Sequence, residues 1–263
     1  MDQLMTGWQD YQAYISHRHH SVVGTLKVLP DLFSPQLDNE RDVLVYLPPA
    51  YDQTDIRYPV IYMHDGQNLF DRATGFAGNE WEVDETMEAL SSEGLEAIVV
   101  GLPHMNAHRL QEYNPFPDFR NGQGGRYLNF IVDTLKPIID RDFRTLKDRT
   151  HTGLLGSSMG GLISLYGFFH RSDIFGFAGV MSPALWIAGG AIYDFVETQP
   201  YVPGKIYIDN GTRESSARKM NALLNEKGYV AGKDLLYTIE PEGEHNEAAW
   251  ARRLPDALRF LLR

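Results

Sequence analysis

The sequence predicts one α/β domain with a mostly parallel central sheet, an antiparallel edge from its N-terminal part, and helices on both faces. Three observations carry this. From residue 59 onward, short apolar runs alternate with helical patterns, the order that builds a parallel sheet. Those runs are continuous rather than alternating, as strands covered on both faces require. Before residue 59, the runs 22–29 and 41–47 are separated by a polar turn and read as an antiparallel hairpin at one sheet edge.

The 263 residues suffice for a large core and still fit a single domain. No Pro/Ser/Gly linker, shift in composition or repeat interrupts them, so a lead-in over 1–20 and one domain over 21–263 are expected. Net charge is −11, from 24 basic and 35 acidic residues, which makes a poor binder of phosphate backbones and argues against nucleic acid. No apolar run approaches a membrane span, and Met1 to Tyr14 lacks the charged and apolar regions of a signal peptide. The chain has no cysteine, which excludes disulfides, thiolate catalysis and thiolate metal sites. The cytoplasm is the default location.

Taken in order, the lead-in holds His17-Arg18-His19-His20, which reads as a solvated loop because no carboxylate stands at ligand spacing. Pro48-Pro49 closes the second strand of the hairpin. Pro59 to Met63 is the first buried strand and runs into His64-Asp65-Gly66-Gln67-Asn68. Loops at the carboxyl ends of central strands are where open α/β sheets bind ligands. The N–H of Gln67 is assigned here as an oxyanion donor, with Gly66 and Asn68 as close competitors, and His64 is given a structural role in the turn. Trp81 to Leu90 reads as a helix and Glu96 to Gly101 as the next strand. Residues 103–125 show no periodicity and form a long loop, a functional or mobile one, with Asn121 to Gly125 as a flexible rim or helix entry. Arg126 to Asp140 is helical by Leu128, Ile131, Val132, Leu135 and Ile139, and Pro137 should bend it.

Thr152 to Leu155 is a short buried strand. Gly156-Ser157-Ser158-Met159-Gly160 follows as G-x-S-x-G, and a helical pattern begins at Met159. Strand, sharp turn and helix is the setting of a nucleophile elbow. The turn lifts the Ser158 hydroxyl clear of the sheet and aims the N–H of Met159 at the place where an oxyanion forms. Phe175 to Met181 is another strand, ending at Ser182-Pro183-Ala184-Leu185-Trp186. Lys205 to Asp209 is the next and runs into Asn210-Gly211-Thr212-Arg213-Glu214. A helix over 217–227, a last strand over 234–239, the loop 241–245 and a helix with Trp250, Leu254, Leu258 and Leu261 complete the chain.

A serine hydroxyl needs a base within hydrogen-bond reach, and the base needs a third group to orient it. Of nine histidines only His170 and His245 follow Ser158, and His170 falls within the helix after the elbow. His245 is therefore the candidate base. Two acids, Asp209 and Glu214, stand near the end of one strand as candidate third members. Chain order Ser, acid, His is the order of this architecture.

The stretch 145–165 resembles the putative esterase family of α/β-hydrolases. That family includes enterochelin-type siderophore esterases, feruloyl and acetylxylan esterases of carbohydrate esterase family 1, esterase D (S-formylglutathione hydrolase) and the mycolyltransferases. His64-Asp65-Gly66 is similar to its post-strand loop, Ser182-Pro183 to its strand end, Gly211-Thr212-Arg213-Glu214 to its acid turn and Gly243-Glu244-His245 to its Gly-x-His. The resemblance covers about residues 40–263 and implies an α/β-hydrolase fold. It favours Glu214 over Asp209, because the family's acid lies three residues after the turn glycine. Asp65-Gly66-Gln67 is closer to the siderophore-esterase version of the loop than to the His-Gly of sugar-ester enzymes, and the acid turn carries Glu in place of Asp.

The expected activity is that of a serine carboxylesterase acting through an acyl-enzyme. Ser158, Glu214 and His245 would form its triad, with the N–H groups of Gln67 and Met159 as oxyanion donors and no metal or organic cofactor. The expected partner is a small-molecule ester of a sugar, an aryl acid or a siderophore. Asp65, Asn68, Trp81, Arg109 and Trp186 are candidate substrate contacts, and Arg109 or Arg213 the candidate partners of a carboxylate or catecholate. An acyltransferase or thioesterase on the same triad, and a non-catalytic scaffold of hydrolase descent, are the alternatives.

Overall fold

The computed structural model describes residues 7–16, 19–117 and 121–263. His17 and Arg18, half of the lead-in cluster, lie outside the described residues. The strands are β1 (Gln9–Asp10), β2 (Thr25–Ser34), β3 (Asn39–Leu47), β4 (Val60–His64), β5 (Ile98–Leu102), β6 (Thr152–Ser157), β7 (Phe177–Met181), β8 (Lys205–Gly211) and β9 (Leu235–Glu240). They form one sheet in the order β1-β2-β3-β5-β4-β6-β7-β8-β9. Strands β1 to β3 pair antiparallel, and β3 also meets β5 antiparallel. All remaining pairs are parallel. This is the α/β-hydrolase class with an antiparallel N-terminal edge, as expected from the hairpin pattern and the continuous apolar runs.

The helices are α1 (Tyr11–Tyr14), α2 (Val83–Ser91), α3 (Arg109–Glu112), α4 (Gly124–Asn129), α5 (Lys136–Asp142), α6 (Met159–His170), α7 (Ala191–Thr198), α8 (Arg218–Glu226) and α9 (Glu247–Leu262). The two-residue period of a strand sends alternate side chains to opposite faces, and here both faces are covered. Val43, Val45, Tyr62, Val100, Leu154 and Ile208 join residues of α4 to α8 in one core. Their neighbours Leu44, Tyr46, Ile61, Met63, Val99, Leu155 and Tyr207 join residues of α2 and α9 in a second. The sheet is thus a middle layer, and its carboxyl edge is left for loops.

Several elements differ from expectation. A π-helical stretch, Phe130–Leu135, joins α4 to α5, so Pro137 sits in the first turn of α5 after a widened turn instead of bending one helix. Proline has no N–H to give to the preceding turn, and a π turn absorbs that loss. The loop after β5 contains a 3-10 turn (Asn106–His108) and α3. Strand β1 and helix α7 have no counterpart in the sequence reading. A two-residue strand has no periodicity, and β1 exists through its pairing of Gln9 with Val28 and Asp10 with Lys27.

One ion pair ties this loop to the antiparallel edge. Arg41 of β3 donates two hydrogen bonds to Glu112 of α3, at 2.8 and 2.9 Å. Both side chains are 1% exposed. The guanidinium also lies over the rings of Tyr127 and Phe130. Removing one member of a buried pair leaves the other charge uncompensated. Arg41→Met is therefore expected to lower the unfolding free energy by about 3–5 kcal/mol, read from urea midpoints at unchanged m.

Candidate active site

Three strands deliver strained residues to the carboxyl edge. Asp65 after β4, Ser158 after β6 and Ser182 after β7 all have positive φ, at 57°, 55° and 41°. Non-glycine residues hold such angles only where their surroundings over-determine them, and they cluster at functional sites. Ser158 is fixed on both sides. Its N–H donates to Met181 O at 3.0 Å, and its carbonyl accepts from Leu162 N and Ala184 N at 3.1 and 2.9 Å. The flanking glycines explain themselves in space. A Cβ on Gly156 would stand 2.9 Å from His64 Cδ2, and one on Gly160 would stand 3.2 Å from His64 Cβ.

His64 is the floor of this elbow. It is buried, its Nδ1 meets the Tyr127 hydroxyl at 2.8 Å, and burial lowers its pKa to about 3. Its burial favours the neutral imidazole, which packs beneath the elbow. Met159 opens α6, and Gln67 lies in the 3-10 turn Gly66–Asn68. The first N–H groups of a helix have no partner within it, and both residues stand at the start of a helical turn.

Glu214 and His245 meet directly. His245 Nδ1 lies 2.6 Å from Glu214 Oε2. The other oxygen, Oε1, accepts from the Ser182 hydroxyl at 2.7 Å, from the Gly211 N–H, and from Arg253 at 3.4 Å. Burial alone would raise the Glu214 carboxyl. The hydrogen bonds from His245, Gly211 and Ser182, with the charge of Arg253, outweigh it and hold the carboxyl below its usual range. Asp209 has a different setting. It is fully buried within β8 and accepts from Ser182 N, Tyr207 Oη and Arg253 Nη1 at 2.9, 3.0 and 3.0 Å. Burial pushes its carboxyl up to about 6, against the pull of Arg253.

Ser158 and His245 share the wall of a cavity of about 530 Å³ with Asp65, Gln67, Asn68, His104, Arg109, Glu247 and Trp250. Three of the candidate substrate contacts, Asp65, Asn68 and Arg109, are therefore brought to it. Two are not. Trp81 is buried behind the wall, with its ring 5.4 Å from that of Trp250. Trp186 lines a neighbouring cavity with Tyr193, Asp194 and Lys219. The candidate cations are already engaged. Arg109 makes a two-fold pair with Asp65 at 2.7 Å for each bond, and Arg213 pairs with Glu242 and Glu244 at the surface.

The sequence reading did not find Arg253, Trp250, the Ser182 hydroxyl or Glu247. A signal existed for Arg253. It falls on the apolar stripe of α9 set by Trp250, Leu254, Leu258 and Leu261, where an unpaired charge is not tolerated. There it pairs with Asp209, Glu214 and Glu240 at once.

A parallel sheet with helices on both faces and a serine elbow at its carboxyl edge define an α/β-hydrolase. The family model described as Putative esterase matches residues 34–261, and the chain belongs to that family. It is thus a hydrolase of the ester-cleaving class. The chain is 26% identical over 245 residues to the uncharacterized protein YbbA of Bacillus subtilis strain 168, covering 84% of this chain and 92% of that one. Among solved structures it resembles an IroE-like serine hydrolase from Shewanella oneidensis, with a TM-score of 0.71 and 21% identity over 88% of this chain and 78% of that one. It also resembles ferric enterobactin esterase from Salmonella typhimurium, with a TM-score of 0.74 and 19% identity over 91% of this chain and 58% of that one. Among the described residues, no helix is long and apolar enough to cross a membrane.

Proposed function

We propose that the protein is a serine carboxylesterase whose triad is Ser158, His245 and Glu214. The observation that carries this is the 2.6 Å contact between His245 Nδ1 and Glu214 Oε2, at a cavity whose wall also holds Ser158 on its strained turn. Glu214 holds the imidazole in the tautomer that leaves Nε2 free to accept a proton. Ser158 Oγ attacks the ester carbonyl carbon while its proton passes to His245. The oxyanion is held by the N–H groups of Met159 and Gln67. As the tetrahedral adduct collapses, the C–O bond to the alcohol breaks and His245 protonates the leaving oxygen. Water then attacks the acyl-enzyme with His245 again as base, and the carboxylic acid leaves Ser158 free.

The chemistry of the cavity favours an uncharged ester. Asp65 and Arg109 neutralise each other on its wall, and burial lowers the pKa of His104 and raises that of Glu247. Amide, hydroxyl and aromatic groups of Gln67, Asn68, Thr74, Phe76, Asn106 and Trp250 remain. Such a lining suits the hydroxyls of a sugar or the ring of an aryl acid, and the structural likeness to an enterobactin esterase is a reason to test siderophore esters beside them. Turnover of short p-nitrophenyl esters is expected, with one fluorophosphonate bound per chain on the peptide containing Ser158. Absence of both turnover and labelling would refute the assignment.

A further inference from the structure

The segment 80–85, which follows the cavity-lining residues Thr74 and Phe76, carries a cluster of buried carboxylates. Glu80 and Asp84 are buried and Glu85 is half-buried. Each offers one carboxylate oxygen, and the three oxygens lie within 4.8 Å of one another. Among the described residues no other group of three acidic or histidine side chains is so arranged.

A second observation concerns what reaches these oxygens. Glu80 Oε2, Asp84 Oδ1 and Glu85 Oε2 are all withdrawn from solvent, and among the described residues no hydrogen-bond donor meets any of them. The Glu80 side chain is 1% exposed and Asp84 is fully buried. The other Asp84 oxygen accepts from Val23 N at 2.7 Å, which fixes the carboxylate. Arg72 approaches Glu80 only at Oε1, at 3.9 Å, with a side chain that is 63% exposed and also near Glu82. Buried anions without donors need a counter-ion or a proton.

We propose that Glu80, Asp84 and Glu85 form a calcium site. All donors are hard carboxylate oxygens, which disfavours zinc and other metals that select imidazole or thiolate. Calcium holds oxygens at about 2.3–2.6 Å, so ligands on opposite sides of it stand up to ~5 Å apart. Magnesium needs a tighter octahedron, with oxygens no more than ~4.2 Å apart, and gives up its waters reluctantly. The half-exposed Glu85 is the side from which the ion and its remaining waters enter.

The ion fastens a segment that supports the catalytic cavity. Thr74 and Phe76 line that cavity. Trp81, next to Glu80, packs on Trp250, whose ring stands 5.1 Å from that of His245. The test is binding and melting of the whole chain after removal of metals with EGTA, so it is independent of ester turnover. Calorimetric titration with calcium chloride should give one site per chain. Millimolar calcium should raise Tm by about 5 °C, and magnesium at the same concentration by far less. Asp84→Asn should abolish both effects. Glu85→Gln, at the half-exposed position, should weaken calcium binding by about tenfold or more and provides the reading if Asp84→Asn fails to fold. No calcium heat and an unmoved Tm in the wild type would overturn the proposal, as would an undiminished response in Glu85→Gln.

Discussion

Ser158→Ala should reduce kcat on a p-nitrophenyl ester by about six orders of magnitude while leaving the melting transition nearly unchanged. In the proposed mechanism the residue is nucleophile and proton donor at once, so its loss would remove the acyl-enzyme pathway rather than one favourable contact. Its backbone clamps, the bonds to Met181, Leu162 and Ala184, do not involve the hydroxyl and survive the change. His245→Ala should be about equally damaging, and the double variant no worse than either single one, because the members of a triad act as one unit. Retention of more than about a hundredth of the wild-type rate in Ser158→Ala would place the reacting group elsewhere.

Glu214→Gln should lower kcat by about two to four orders of magnitude, and Asp209→Asn by about tenfold at most. The glutamate receives donors at both oxygens, His245 at one and Ser182, Gly211 and Arg253 at the other. An amide has a single acceptor oxygen. If that oxygen faces the Ser182 side, the amide nitrogen confronts His245 and favours the wrong tautomer. If it faces His245, the nitrogen confronts the Gly211 N–H and Arg253. Asp209 receives backbone, phenol and guanidinium donors within the sheet and does not touch His245 among the described contacts. Its amide removes a partner of buried Arg253, so the cost falls on stability, about 2–4 kcal/mol in urea unfolding. A dead Asp209→Asn beside an active Glu214→Gln would transfer the role to Asp209.

Much of the fold was legible because its signals are local. Continuous runs such as Val60 to His64 and Ile98 to Leu102 are what a strand buried on both faces must be, and the strand, glycine turn and helix around Ser158 announce themselves in eleven residues. The choice between Asp209 and Glu214 was not local. Both sit within a few residues of the end of β8, and only the positions of His245 and Arg253, brought in by later elements, separate the two settings. The tryptophans show the same limit. Trp81 was expected at the cavity and lies behind it, while Trp250 stands on the wall, because the packing of α2 against α9 decides which indole faces inward. Sequence alone leaves Arg109 open to an anionic ligand, since no sequence rule joins it to Asp65, forty-four positions earlier.

The contributions of α9 have a temporal side. His245 precedes this helix, and Trp250 and Arg253 lie within it, so three groups around Glu214 come from the part of the fold that follows β9. A chain growing from its amino end on the ribosome has made the serine elbow, both acids and most of the parallel sheet before any of these groups exists. Until then Asp209 and Glu214 have no guanidinium between them, and Ser158 lacks the histidine proposed as its base. On the proposed triad, a chain that has not yet made His245 is expected to be inactive, and α9, which packs on β8, is the element that brings the Arg253 guanidinium to the buried acids.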